Sequence, residues 1–201
     1  MTCISVQSLL GQKPSSEALV DYLSNLSSIV QSDSASTPEI KSYPDVVYYN
    51  FYSLGLSLLF KPVDGKTGAD LEEDKLILDS FDIYNIPKVS DPNAKSGSKK
   101  KAETAFATHP VSPVTLNLTQ VEGLSPLQVT RESTGKDFVQ HLGEPDRKGG
   151  GSGPASGSIG IWCEWTKHGI LVEFGGVEAT GPQAWERGKD AGWKVVTVFR
   201  T

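Results

Sequence analysis

The sequence predicts an α+β protein built from two tandem repeats, each a helix packed on a small antiparallel β-sheet. Two stretches carry most of this reading. YYNFYSLGLSLLF (residues 48–60) and WCEWTKHGILVEF (residues 162–174) both run from aromatics through a glycine into alternating apolar residues that end in Phe. Aligned on Gly55 and Gly169, Tyr48 falls on Trp162, Asn50 on Glu164, Phe51 on Trp165, Leu56 on Ile170, Leu58 on Val172 and Phe60 on Phe174. The third observation is what flanks them. Leu19, Val20 and Leu23 upstream of the first stretch share their spacing with Phe138, Val139 and Leu142 upstream of the second. Downstream, 26 residues separate Gly55 from the closing strand at Phe81, and 27 separate Gly169 from Val196. One hairpin pattern is generic, but helix, hairpin and strand in the same order twice is the mark of a repeated unit.

The elements follow in chain order. Leu19, Val20, Leu23 and Leu26 recur at helical spacing behind the start signal Pro14-Ser15-Ser16-Glu17, which predicts a helix over 15–30. The polar run QSDSASTPEIKS reads as loop. A hairpin over 48–60 turns at or beside Gly55, because glycine tolerates positive φ. Residues 76–84 form the closing strand, 87–112 a polar, mobile connection, and 114–118 a short strand. In the second half Ser133-Thr134 cap a helix carrying Phe138, Val139 and Leu142, and Gly143 with Pro145 stops it. KGGGSGPASGSIG reads as a flexible loop, residues 167–169 as the second turn, 182–190 as a short helix and 193–199 as the last strand. The organisation is therefore a first unit over 1–87, a flexible linker or loop over 88–112, and a second unit over 113–201. Each unit is too small to bury itself well, so the two are expected to share a core.

The helix end Leu142-Gly143-Glu144-Pro145, followed by strands with an aromatic–Gly–apolar–Phe hairpin, resembles the β-lactamase-inhibitor-protein fold. The same unit occurs in the small lipoprotein of the outer-membrane β-barrel assembly machinery. The run over 48–60 is similar to a hairpin of the eukaryotic phagosome assembly factor family, which also has repeated units. The likeness spans about sixty residues; the first half lacks Leu-Gly-x-Pro, and GPQAWERGKDAGWK has no counterpart in it. It implies a concave outer sheet face used for binding, and a role in autophagy or membrane-trafficking assembly.

Bulk chemistry narrows the function. A hydrophobic fraction of 37% and a charged fraction of 21% describe an ordinary folded protein. A net charge of −5 and a pI near 5.2 argue against nucleic acid as partner, which needs a basic face. Two cysteines, Cys3 and Cys163, are too few for a disulfide framework; one bridge would fit, and free thiols are the preferred expectation. The start MTCISVQSLLGQKP lacks a basic leader and an apolar core, and no apolar run is long enough to span a bilayer. A cytoplasmic protein is expected, so Asn25-Leu26-Ser27 and Asn117-Leu118-Thr119 are not read as glycosylation sites.

Catalytic and cofactor signatures are missing. His109, His141 and His168 are scattered over a linker, a helix end and a turn. His141-x-x-Glu144 has a metal-like spacing, but Gly143 and Pro145 break the helix that would align the two. Thr134-Gly135-Lys136-Asp137 resembles the end of a phosphate loop without its first glycine, and the glycines at 149–157 precede a strand rather than a helix. No metal, no cofactor and no catalytic residue is assigned.

Aromatics are the functional lead. Tyr48, Phe51, Tyr52, Trp162, Trp165, Trp185 and Trp193 exceed what hairpins of this length need for a core. Either some rings lie on a sheet face away from the helix, or both faces are covered and the rings are core. Trp185 and Arg187, within the mixed-charge cluster Glu186, Arg187, Lys189 and Asp190, are of the types that dominate interfaces, although a solvated helix face would look the same. The candidate binding residues are Tyr48, Phe51, Trp162, Trp165, Trp185 and Arg187, and the expected function is a non-enzymatic protein-binding or adaptor module. Lys99, Lys100 and Lys101 could add a weak contact with acidic lipid headgroups, or simply solubilise their loop. The alternatives are a small enzyme using a groove between the units around Glu164, Arg187 and His168, or a secreted inhibitor protein.

Overall fold

Apolar alternation and two glycine-centred turns produce one antiparallel sheet of eight strands. The computed structural model describes residues 5–65, 72–86, 105–118, 125–151 and 160–201. A helix, α1 (Glu17–Val30), precedes β1 (Glu39–Ser42), β2 (Val47–Phe51), β3 (Leu56–Pro62) and β4 (Leu76–Tyr84). A short hairpin of β5 (Val114–Leu116) and β6 (Leu127–Val129) leads to α2 (Gly135–Leu142). Then come β7 (Arg147–Gly149), β8 (Trp162–Trp165), β9 (Ile170–Phe174), the single turn α3 (Ala184–Arg187) and β10 (Trp193–Phe199). The strand order is β1-β2-β3-β4-β10-β9-β8-β7, so two four-stranded meanders meet where β4 pairs with β10.

Register assigns every side chain to a face. Phe51, Leu56, Ile83, Val196, Val172 and Cys163 are linked by direct pairing and share what we call the inner face. Both long helices pack there. Tyr22 of α1 meets Phe81 edge-on at 6.1 Å, and Phe138 of α2 lies 6.3 Å from Trp165 and 6.0 Å from Phe174. The core formed this way is continuous across both meanders, from Leu19 and Leu58 to Trp165 and Val198. Each fully buried Leu or Phe in it contributes about 1.5–3 kcal/mol. The two inner tryptophans also satisfy their indole N–H groups: Trp165 donates to Gly143 O at 2.8 Å and Trp193 to Thr130 O at 2.7 Å. The first of these ties β8 to the end of α2. That helix begins with a capping box between Thr134 and Asp137 and stops at Gly143, at φ 78°.

The two turns are built alike. Each is a short 3-10 stretch, at Tyr52–Leu54 and Thr166–His168, closed by a left-handed glycine: Gly55 at φ 57°, ψ 46° and Gly169 at φ 62°, ψ 38°. Neither site has room for a side chain. A Cβ at Gly55 would press on Ala107 O and lie 2.7 Å from His109 N; one at Gly169 would press on Phe199 O.

Several expectations need correction. The polar run after α1 contains β1, and the glycine-rich loop begins with β7; both are edge strands whose residues are largely exposed. Of the expected linker over 88–112, residues 88–104 lie outside the described ones, but 105–112 are packed against the first meander. Ala107 N–H donates to Tyr52 O and His109 N–H to Tyr84 O, each at 2.8 Å. His109 is therefore a core residue, 3% exposed, with Nδ1 3.0 Å from Leu54 O.

The turns give the first prediction. Gly55→Ala and Gly169→Ala should each destabilise the protein by about 2–4 kcal/mol, combining left-handed strain with a backbone clash. Gly65, at φ 63° with nothing within 4 Å of a built Cβ, is the control. Gly65→Ala should lose only about 1 kcal/mol. Urea denaturation of the three variants measures the difference.

Candidate sheet-face site

The outer face is set by the same register. One row crosses all eight strands: Glu39, Asn50, Ser57, Asp82, Thr197, Leu171, Glu164 and Arg147. Beside it lie Lys41, Tyr48, Leu59, Ser80 and Phe199 on one flank, and Tyr84, Val195, Glu173, Trp162 and Gly149 on the other. The segment 105–109 covers one end of this face. Phe106 stacks on Tyr84 at 3.9 Å and leans on Tyr52 at 4.7 Å, forming an apolar cluster with Val195 and Ile86.

Between that segment and the β1–β2 turn the face opens into a cavity of about 500 Å³. Tyr43, Tyr48, Tyr52, Tyr84 and Phe106 line it, with Asn50, Ser57 and Asp82 from the central row and Asp45 from the turn. Tyr43 and Tyr48 meet edge to face at 5.9 Å. The polar row is internally ordered: Ser57 Oγ donates to Asn50 Oδ1, and Thr197 Oγ1 to Asp82 Oδ1, each at 2.8 Å. Burial pushes Asp82 up to about 6 despite the Thr197 hydrogen bond, with nearby Glu173 adding to the shift. Burial first, and then the charges of Asp82 and Asp45 and the neighbouring Tyr43, hold the Tyr48 phenol above its ordinary value.

The sequence-derived candidates separate. Tyr48 and Trp162 are half-buried on the outer face. Phe51 and Trp165 are 2% and 1% exposed on the inner face, where they are core. Trp185 is 44% exposed on α3, with Lys148 Nζ 5.6 Å from its ring centre, and Arg187 donates to Thr180 O at 3.3 Å. The groove imagined around Glu164, Arg187 and His168 does not assemble. Glu164 is held on the outer face by Arg147 at 3.3 Å and Thr166 at 2.8 Å, while Arg187 turns to its own loop. Cys163 is a buried inner-face thiol raised by burial to about 11. Cys3 and Lys99–Lys101 lie outside the described residues.

What the sequence reading missed is the floor of the cavity. Asp82 sits between Phe81 and Ile83 in a strand of apolar alternation, and a charged residue there marks a face that is not core. Its meeting with Asn50, Ser57 and Thr197 depends on register across four strands, which no local pattern encodes.

Among the described residues no three His, Cys, Asp or Glu side chains are grouped to hold a metal ion, and no helix is long and apolar enough to cross a membrane. No family model, curated protein or solved structure matches the chain.

Asp82 and His109 give opposite pH signatures. Asp82 has its folded value raised from 3.8 to about 6, so its stabilising contribution is full below pH 4 and is lost as pH rises through 6. His109 has its value lowered from 6.5 to about 4, chiefly by burial, so its contribution is full above pH 6.5 and is lost as pH falls through 4. Relative to wild type, Asp82→Asn should gain up to about 3 kcal/mol between pH 4 and 7. His109→Gln should improve relative to wild type in the other direction, as pH falls. Urea unfolding across pH 4–8 reads both slopes.

Proposed function

We propose that this protein is a non-enzymatic binding module that presents the outer face of its sheet to another protein. A sheet face left to water ordinarily alternates core residues with polar ones. Here the outward positions include Tyr48, Leu59, Trp162, Leu171 and Phe199, all half-buried, while both long helices occupy the opposite face. That apolar content on the helix-free face is the observation that carries the reading, since such patches mark interaction surfaces. The site is accordingly Tyr48 and Trp162 with their outward neighbours, and not Phe51 or Trp165.

The mirrored strand order and the matched dihedrals of Gly55 and Gly169 support a duplicated helix-plus-sheet unit. Duplication makes a sheet twice as broad as one unit could offer. The hairpin likeness to the phagosome assembly factor family is the ground for placing the module, as an adaptor, in cytoplasmic autophagy or membrane-trafficking assembly.

Quantitative affinity purification with the full chain as bait tests the face. Leu59→Glu and Leu171→Glu should keep the fold, by circular dichroism, and reduce partner recovery about tenfold or more. Val20→Glu and Ile29→Glu, at exposed positions of α1, should leave recovery unchanged. Partners retained in full by both outer-face variants would overturn the reading.

A further inference from the structure

Among the described residues, four ion pairs on the outer face leave two carboxylates over. Glu39 pairs with Lys41 at 3.0 Å, Asp79 with Lys61 at 2.7 Å, Glu164 with Arg147 at 3.3 Å and Glu173 with Lys194 at 3.8 Å. Asp82 and Asp45 have no such partner among the described residues, and both line the 500 Å³ cavity. Its one lysine, Lys41, is already held by Glu39 at the rim and lies 3.3 Å from the Tyr52 hydroxyl. The cavity thus combines four phenol rings and a phenyl ring with unpaired negative charge at its floor and mouth.

That combination selects one ligand chemistry. Aromatic faces attract cations and are indifferent or repulsive to anions. A desolvated carboxylate is unfavourable until a donor of opposite charge reaches it. Among the described residues Asp82 receives one side-chain hydrogen bond, from Thr197, so oxygen lone pairs remain for a ligand. An ammonium would meet the charge, but it is compact and strongly hydrated. A guanidinium is planar, sheds water more readily, stacks on rings and offers paired N–H donors to one carboxylate. The volume exceeds that of a guanidinium and leaves room for the chain that carries it.

We propose that this cavity receives an arginine side chain of the protein partner, with its guanidinium on Asp82 among the rings of Tyr43, Tyr48 and Tyr52. This deepens the proposed function and rests on the sheet face being the docking surface. The arginine would supply the charge that the four ion pairs leave unmatched. Asn50, whose carbonyl oxygen is occupied by Ser57, presents its remaining amide donors to the peptide groups flanking that arginine.

Amide-resolved NMR titration of the full chain with acetyl-Gly-Arg-Gly-amide tests this directly. Shifts centred on Asn50, Ser57 and Asp82 are expected, with a dissociation constant on the order of 1 mM. The citrulline counterpart, equal in shape but uncharged, should bind about tenfold more weakly or not at all. Asp82→Asn keeps the acceptor for Thr197 and should weaken the arginine peptide by about tenfold as well. Equal binding of the two peptides, wild-type affinity in Asp82→Asn, or no shifts up to about 20 mM would overturn the proposal. The docking face is judged separately. Partner recovery lost in Leu59→Glu and Leu171→Glu but intact in Asp82→Asn would leave the face standing and remove the arginine pocket.

Discussion

The pairing of β4 with β10 is the constraint on which the rest of the structure depends. Each four-stranded meander has two edges, and an unpaired edge is a row of backbone groups seeking partners. Five residue pairs, from Val195↔Tyr84 to Phe199↔Ser80, turn two inner edges into the middle of one sheet. They also make the core continuous: Phe81 and Ile83 of β4 lie against Val198 and Val196 of β10 on the inner face. The same seam sets the outer row. Only because Asp82 faces Thr197 does the central carboxylate receive its one hydrogen bond. A slip of one residue would drive Asp82 into the core and Ile83 out to the surface.

Turn geometry explains why the sheet is so regular on either side of that seam. Gly55 and Gly169 place closely matched left-handed kinks four residues after the last aromatic of β2 and β8. Phe51 and Trp165, the residues just before each turn, are thereby forced inward, and each is nearly inaccessible. The absence of a side chain at the glycine also lets another segment cross close by. At Gly55 that segment is 107–109, and at Gly169 it is the end of β10. The first crossing brings Phe106 onto Tyr84 and so raises one wall of the outer cavity. A backbone requirement at one turn is thus linked to the shape of the surface beside it, since Ala107 at the turn is the chain neighbour of Phe106.

Legibility in the sequence followed the strength of the local signal. β4 and β10 have the bounds that their alternation predicts, and α1 and both hairpins lie where spacing and glycine put them. β1 and β7 did not show, because an edge strand held by one neighbour has both faces wet and shows no period of two. The segment 105–112, AFATHPVS, carries no strand or helix period, yet it buries His109 and Phe106; its order comes from tertiary hydrogen bonds to Tyr52 and Tyr84. The candidate site was half legible for the same reason. Tyr48 and Phe51 stand on opposite faces of one strand, and the sequence could not say which of those faces met the helices. Tyr48 and Trp162 share the open face, and Trp165, three residues further along β8, is core.

The outer row shows how a surface can be apolar and still hold charge. Glu39 and Glu164 in the row and Glu173 beside it are paired with Lys41 of the same strand and with Arg147 and Lys194 of adjacent strands, so their charge is already matched. Asp82 differs because its cross-strand neighbours are Ser57 and Thr197, hydroxyls that can orient a carboxylate but cannot neutralise it. A cation in place of either hydroxyl would have matched the charge that these neighbours only orient. The fold instead spends stability on Asp82 at neutral pH, since its ordinary acidity is shifted to about 6. Such a group is tolerated where the free protein and its bound form differ in what surrounds it. Burial against a cationic group would reverse the sign of its contribution, so a residue that weakens the isolated sheet is one that the proposed arginine contact would reward.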